Sequence, residues 1–276
     1  MTTLHDITKF LQSIAPRELS VRDIEARVEI GPQTESEQAK TTVNRILVAT
    51  YPSARAVTKA SQDKANLLIT YRPIFPFALD RLYGFDLIRV RLLTKNYISA
   101  YTIGSAWASA NGGLTDALVE TLGLKALKEF RTLGTYSETV PLGRICEPPG
   151  VMNHSGFANY VAGKMGLEGV EFGGELDDEL GPILVIAGDL TDLLEISEAK
   201  KQDIETIVTG ELLPETRTIA VEEGINTVEL GAFFSEEPGM KRLKYQLSLE
   251  FAELKLDFID SPPLSKTLRP YSQDMA

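Results

Sequence analysis

The side chains with the clearest chemical potential in this sequence are Tyr71 and Arg72, which directly follow the apolar run Leu67–Thr70. Such a run, stopped by Pro73, predicts a buried strand of a parallel sheet. Open α/β sheets bind their ligands at the carboxyl ends of the strands. The pattern therefore indicates a ligand site to which a phenol and a guanidinium contribute, although a strand end with a solvated arginine explains it equally well.

Four other segments contain residue types that could bind an ion or act as a nucleophile, and in each the sequence favours a structural role. Asn111–Gly113 at a helix start could hold an anion on backbone N–H groups, but a plain helix cap is the favoured interpretation. His154 beside Ser155 lacks the G-x-S-x-G context of a nucleophile and is interpreted as a helix-start residue. The acidic segment 173–179 is interpreted as a solvated turn, and segment 187–192 lacks a phosphate-binding pattern.

The amino-acid composition argues against some classes of binding partner and of binding site. The 276 residues carry a net charge of −11, which opposes binding to nucleic-acid phosphates or to an anionic membrane surface. The single cysteine, Cys146, excludes an internal disulfide and a thiolate metal cluster, and it fits a reducing cytoplasm. The chain has no apolar run of the roughly 20 residues that span a bilayer. Only His5 and His154 are available as imidazole ligands.

Strand-like and helix-like segments alternate along the chain, which predicts an α/β fold with largely parallel sheets. The predicted strands are Arg45–Thr50, Leu67–Thr70, Ile98–Thr102, Pro182–Ala187, Ile204–Thr209, Asn226–Leu230 and Leu254–Ile259. The predicted helices cover residues 4–14, 53–64, 85–93, 114–122, 155–165 and 214–223. The same order of parts in both halves indicates a duplication.

Two further local predictions concern the segments between these elements. Residues 32–42 are polar and are predicted to form a loop. Ser235 is predicted to cap a helix that carries Glu236 and Glu237 in its first turn, where the helix dipole favours acids.

Five segments, in the correct order, resemble the NGG-one-interacting-factor-three-like family, many members of which are labelled type-two GTP cyclohydrolase homologues. Residues 64–75 look like that family's "gadliisHHPliF" segment, and residues 105–116 look like its "HTnlD…GGvnd" segment. Residues 142–145 are similar to a linker motif between its halves, 207–211 to its "iTGe" motif and 231–236 to its "GHyasE" motif.

In that family, histidines and carboxylates of these motifs bind two metal ions in a cleft, where they can activate a water molecule. The six positions of this chain that correspond to those ligands are Tyr71, Arg72, Gly104, Ala108, Ala232 and Glu236. Only Glu236 keeps a ligand side chain, and an arginine cannot lose its proton to bind a cation. The resemblance therefore implies the cleft without its metal chemistry, so that no metal or cofactor is expected and no catalytic residue can be assigned.

The resemblance also implies the architecture: two similar, intertwined α/β halves with mixed, largely parallel sheets and a cleft between them. The halves are predicted at residues 1–130 and 131–276, with the alternative that the C-terminal segment packs back on the first half. Members of the family form ring-shaped homohexamers, so we expect a homo-oligomer, with a small molecule as a further partner and with neither nucleic acid nor a membrane. The preferred function is a binding or scaffold protein. The alternative is a hydrolase or cyclohydrolase-type enzyme acting on a nucleotide-like or phosphate-bearing molecule.

If the metals are absent, Glu236 needs another counter-charge, because an unpaired buried carboxylate is costly. We therefore predict that the Arg72 guanidinium points into the cleft and pairs with Glu236, with Tyr71 on the same wall. The alternative is that Arg72 extends into solvent and Glu236 only caps its helix.

Overall fold

A computed structural model describes residues 1–22 and 24–263 of the chain, so residues 264–276, which are predicted to belong to the second half, lie outside the described residues. Within these ranges the helices are α1 (Leu4–Ile14), α2 (Glu35–Gln38), α3 (Ala54–Gln62), α4 (Gly84–Lys95), α5 (Ala106–Ser109), α6 (Leu114–Leu122), α7 (His154–Met165), α8 (Leu193–Lys201), α9 (Pro214–Glu222) and α10 (Ala232–Glu250). None of these described helices is both long enough and apolar enough to cross a bilayer.

The strands of the described residues form two mixed sheets, which confirms the predicted α/β class. They are β1 (Arg27–Ile30), β2 (Arg45–Ala49), β3 (Leu67–Thr70), β4 (Ser99–Thr102), β5 (Lys125–Thr132), β6 (Val140–Glu147), β7 (Glu171–Gly173), β8 (Ile183–Ile186), β9 (Thr206–Thr209), β10 (Asn226–Glu229) and β11 (Lys255–Ile259). The first sheet has the order β1-β4-β3-β2-β11, and the second has the order β5-β6-β8-β9-β10-β7.

The centre of each sheet is a set of three parallel strands joined by helices. In the first sheet the parallel, in-register strands are β2, β3 and β4. In the second sheet they are β8, β9 and β10. An antiparallel edge strand lies beside the third strand of each set: β1 beside β4 in the first sheet, and β7 beside β10 in the second. All four residues of β3 and of β9 are buried, since each strand is covered on both faces. The repeated arrangement agrees with the duplication predicted from the sequence.

Each sheet also contains strands outside its set of three parallel strands, and these additional strands intertwine the two halves. The last strand, β11, leaves the second half and pairs in parallel with β2 of the first sheet. Strands β5 and β6 extend the second sheet, with β6 antiparallel to β8. The domain boundary at residue 130 stays a prediction, and β5 runs across that position.

Helices α6 and α10 pack against each other between the sheets, with α10 against β2 and β11 and α6 against β6 and β8. Their approach is close because Gly239 of α10 faces Leu114, whose backbone would lie 2.6 Å from a Cβ at that position. The only tryptophan, Trp107, is fully buried and donates from its indole nitrogen to the Gly239 carbonyl at 3.3 Å. This helix pair fixes how the carboxyl ends of the two sets of parallel strands face each other.

Three local predictions were wrong. Helix α10 begins at Ala232, not after Ser235, because Gly231 takes a left-handed φ of +83° that turns the chain into the helix four residues earlier. The expected loop at 32–42 contains the short helix α2, which a capping box between Thr34 and Glu37 stabilises. The expected linker 142–145 is part of the buried strand β6.

Candidate functional site

The carboxyl ends of four parallel strands from both sheets meet at one place in the molecule. Tyr51 follows β2, Arg72 follows β3, Asp189 follows β8 and Glu211 follows β9, and all four line one cavity. The chain beyond β3 is fixed there because the backbone N–H groups of Tyr71 and Arg72 both donate to the Thr50 carbonyl, at 3.2 and 3.3 Å.

Arg72 connects this edge of the first sheet to two carboxylates of the other half. Its Nε donates to Oε1 of Glu236 at 3.1 Å, and Nη2 contacts the same oxygen. Its Nη1 donates to Oδ2 of Asp189 at 2.8 Å, and Nη2 lies 2.8 Å from Oδ1. The predicted pairing of Arg72 with Glu236 is therefore confirmed, and it is direct. The planar guanidinium suits this arrangement, since its donors lie in one fixed plane.

Glu236 is fully buried, and its second oxygen, Oε2, has no hydrogen-bond partner among the described residues. Burial raises the pKa of Glu236 to about 8; Arg72 opposes this rise, while the nearby Asp189 and Glu211 carboxylates add to it. For Arg72, burial alone would lower the pKa, but the contacts with Glu236 and Asp189 raise it above the usual value. The permanently charged guanidinium of Arg72 therefore lies near three acidic groups, those of Asp189, Glu211 and Glu236.

Two tyrosines flank the guanidinium of Arg72. Tyr71 is fully buried, its ring centroid lies 5.2 Å from the guanidinium carbon, and its hydroxyl has no partner among the described residues. The Tyr51 ring lies 6.0 Å from the same carbon and packs edge-on against Phe233, with 5.4 Å between centroids. Burial is the main cause that raises the pKa of both phenols, so both are neutral hydroxyls at physiological pH.

The cavity in front of Arg72 has a volume of about 610 Å³, within the range of small-molecule sites. One wall is largely apolar and is formed by Ile24, Tyr51, Pro52, Pro73, Ile74, Phe75 and Pro76. The charged side chains that line it are Glu25, Arg27, Arg72, Arg89, Asp189 and Glu211. The other two arginines are also bonded to acids, Arg27 to Glu29 at 3.0 Å and Arg89 to Asp86. Glu211 forms no ion pair with any described residue, so the uncompensated charge in the cavity is negative.

Of the three other positions predicted from the resemblance, one lines this cavity and two do not. Ala232 lines it and donates its backbone N–H to Oε1 of Glu211 at 3.3 Å. Ala108 is buried in α5. Gly104 has a φ of +68°, and a Cβ there would lie 2.4 Å from the carbonyl oxygen of Ile24, so its site has no room for a side chain. Neither Gly104 nor Ala108 is among the described residues that line the cavity.

Three residues of this site, Tyr51, Asp189 and Glu211, are not predicted from the sequence. Asp189 follows a buried strand just as Arg72 does, so the same rule on strand ends could have identified it. Glu211 lies in the segment quoted for the family resemblance, but no role was assigned to it. The glycine-rich segment considered for anion binding is a plain cap, because the Gly112 N–H donates to Oδ2 of Asp116 at 2.7 Å.

These side chains do not fit a pair of metal ions. A binuclear site needs several imidazole or carboxylate donors that converge, whereas the guanidinium of Arg72 lies against the one carboxylate that keeps a ligand type, Glu236. No group of three or more His, Cys, Asp or Glu side chains in the described part of the chain is arranged to hold a metal ion.

Comparison with known proteins gives a consistent result over almost the full chain. The profile of the family described as DUF34/NIF3 (NGG1p interacting factor 3) matches residues 2–263. A GTP cyclohydrolase 1 type 2 homolog of Clostridium perfringens is 26% identical over 263 residues, which cover 94% of this chain and 95% of that protein. A protein of the same name from Methanocaldococcus jannaschii is 22% identical, with coverage of 92% and 98%.

Solved structures show the same fold. The Bacillus cereus protein related to NIF3 superposes with a TM-score of 0.83 at 17% identity, covering 96% of this chain and 99% of that one. Reduced HcgD from Methanocaldococcus jannaschii superposes with a TM-score of 0.75 at 20% identity, with coverage of 94% and 98%. At such low identity the likeness concerns the fold alone.

Proposed function

The chain belongs to the DUF34/NIF3 family, and we propose that it is a divergent member that binds a small molecule in the cleft without a metal pair. The observation that carries this proposal is the Arg72 guanidinium, which bonds to both Glu236 and Asp189. A fixed cation at this place pairs with the Asp189 carboxylate and lowers the cost of ionising the buried Glu236. The cleft in front of it remains open as a binding site.

The lining of the cavity supports a particular ligand chemistry. The apolar wall around Tyr51, Ile74 and Phe75 suits a flat or aliphatic body, since burial of apolar surface yields about 25 cal/mol per Å². Each arginine that lines the cavity already contacts an acid, whereas Glu211 has no ion pair among the described residues. A neutral or cationic ligand therefore fits better than one that carries phosphate.

The alternative function is a hydrolase or cyclohydrolase-type enzyme that acts on a nucleotide-like or phosphate-bearing molecule. The names of the two relatives support this alternative, because each is called a GTP cyclohydrolase 1 type 2 homolog. Arg72 would then stabilise negative charge that develops on the substrate, as fixed cations do in other active sites. To do so, the guanidinium would have to release at least one of its two carboxylates.

Ligand titration of the purified, chelator-treated protein separates the two functions. We expect a library of small amines and neutral heteroaromatic compounds to include molecules that raise the melting temperature, because a ligand of the folded state stabilises it by mass action. Replacement of Glu211 by Gln should reduce the shift caused by amines. GTP and inorganic phosphate should cause no shift. Turnover of GTP by the chelator-treated protein would contradict the binding function and establish the enzymatic one.

A further inference from the structure

One edge of the first sheet is open. Strand β1 has β4 on one side, and no other described residue pairs with its backbone. Its four residues span about 13 Å. An open edge presents a row of unpaired N–H and C=O groups on which another strand can pair. The edge at β1 therefore offers backbone hydrogen bonds to a partner.

A groove of about 740 Å³ runs along this edge, and all four consecutive residues of β1 line it. The side chains of a strand alternate between the two faces of its sheet. A groove over one face would therefore be lined by every second residue only. Because all four residues line it, the groove follows the edge itself, where the backbone groups of β1 are open.

The opposite wall of the groove is apolar. It is formed by the segment after the cavity wall and by one residue of α4, and its larger side chains are Phe75, Phe77, Leu79, Leu82 and Val90. The backbone of residues 75–82 forms no backbone hydrogen bond with any described residue, and Phe77 is 78% exposed. The groove thus combines an open strand edge with apolar side chains, the two features with which peptide-binding domains hold extended peptides.

Charge at the groove favours an acidic partner. Two of the described residues that line it are charged, Arg27 and Glu29. The Glu29 side chain is only 3% exposed and accepts from both Arg27 and the backbone N–H of Ile74, whereas the Arg27 side chain is 51% exposed. The charge that a partner meets is therefore the guanidinium of Arg27, which pairs well with a carboxylate.

The size of the groove fits a single strand. Its volume over the length of β1 corresponds to a cross-section of about 55 Å². One strand in packed sheets occupies about 50 Å², since strands lie about 4.8 Å apart and sheets about 10 Å apart. The edge of a folded sheet, such as that of a second copy, has further strands behind it and does not fit between the two walls.

The chain's own residues 264–276 fit the groove less well than a peptide of another protein. They carry two basic residues, Lys266 and Arg269, and one acidic residue, Asp274. This balance is the opposite of the one that Arg27 attracts.

We propose that β1 and residues 75–82 bind an extended peptide of another protein, which joins the first sheet as a strand beside β1. The peptide turns apolar side chains toward residues 75–82 and places a carboxylate against Arg27. The groove shares Arg27, Phe75 and Pro76 with the cavity of the candidate site, but the proposal does not depend on which ligand that cavity holds.

Selection from a phage-displayed library of random peptides of about eight residues, enough to span β1, tests this surface on the full chain. We expect the wild type to select peptides with apolar residues at alternate positions and an acidic residue at one end. Leu79→Glu places a charge in the apolar wall and should select none of them. The matched control Leu249→Glu, at an exposed position of α10, should select the same peptides as the wild type. Absence of this pattern from the wild-type selection, or equal results for the two variants, would overturn the proposal.

N-methylation of a selected peptide tests the backbone pairing without any change to the protein. Alternate N–H groups of a strand point toward its neighbour. Methylation at every second position should therefore weaken binding about ten-fold or more, and methylation at the intervening positions should have little effect. A uniform effect along the peptide would contradict strand pairing.

A double substitution tests the contact with Arg27. Replacement of the acidic residue of the peptide by its amide should weaken binding to the wild type about three-fold, and it should not weaken binding to Arg27→Gln. An equal loss with both proteins would refute this contact.

Two outcomes would assign the groove to another occupant and so overturn the proposal. A selected pattern that matches residues 264–276 would assign it to the chain's own C-terminal residues. A selected peptide that lowers the sedimenting mass of the chain would assign it to a second copy.

Discussion

Removal of the Arg72 side chain is expected to destabilise the protein by an amount that grows with pH. In the folded chain the guanidinium bonds to Glu236, which is fully buried, and to Asp189. Because the pKa of Glu236 lies at about 8 in the folded chain and near 4.3 in an unfolded one, Glu236 is largely protonated at pH 6. The loss of Arg72 at that pH removes hydrogen bonds to acids, which costs about 1–2 kcal/mol.

Above pH 8 the cost of this substitution increases. In the wild type Glu236 then ionises beside Arg72, whereas in Arg72→Ala the carboxylate would be buried without a cation, so its pKa rises further. Each pH unit above 8 adds up to about 1.4 kcal/mol to the difference. We therefore expect a total loss of about 2–3 kcal/mol in the free energy of unfolding at pH 9.

Urea unfolding at pH 6 and pH 9 measures this difference, with the fluorescence of the buried Trp107 as the probe. Equal protein concentrations are required, since self-association shifts apparent stability. Arg81→Ala is the matched control, because the Arg81 side chain is 81% exposed and its removal should change stability by less than about 0.5 kcal/mol. Arg72→Lys should be intermediate, since it keeps the charge but not the planar fork. Equal losses for Arg72→Ala and Arg81→Ala at both pH values would refute the reasoning.

Two further predictions concern the pH dependence of wild-type stability and the substitution of two glycines. Wild-type stability should fall as pH rises from about 4 to about 8 and then level off, because in this range only the folded state still binds the Glu236 proton; Glu236→Gln should flatten this fall in urea titrations, and an unchanged slope would contradict the assignment. Gly104→Ala should cost more than about 2 kcal/mol, since its Cβ would lie 2.4 Å from the Ile24 carbonyl oxygen at a φ of +68°. Gly163→Ala in α7, with open space around its Cβ, should stabilise by up to about 1 kcal/mol; calorimetry that ranks the two variants otherwise would refute this.

The sequence predicted the buried parallel strands well because their signal is local. The run Leu67–Thr70 is β3 as predicted, and the predicted strand Arg45–Thr50 differs from β2 by one residue. Strand β5 was missed because five of its eight residues are charged or small, and most of them are exposed. Strand β6 was missed because it contains Pro141 and Gly143, which usually interrupt strands.

The site was predicted only in part because its other half comes from distant residues. The pairing of Arg72 with Glu236 followed from a charge argument applied to two matched motifs. Asp189 is 117 residues from Arg72 in the chain, and no local pattern connects the two. The start of α10 was misplaced because Ser235 has the residue type of a helix cap, whereas the chain uses it inside the helix, where its hydroxyl accepts from the Gly188 N–H at 2.9 Å.

The central claim is that a guanidinium takes the place of a metal pair in this cleft. Elemental analysis of protein from cells grown with added zinc, iron and manganese, after dialysis without chelator, tests it most directly. We predict far less than one ion per chain for wild type, because a single carboxylate already bonded to Arg72 cannot hold such an ion against water. One or two ions that remain bound to each chain, and that are lost in Glu236→Gln, would contradict the claim.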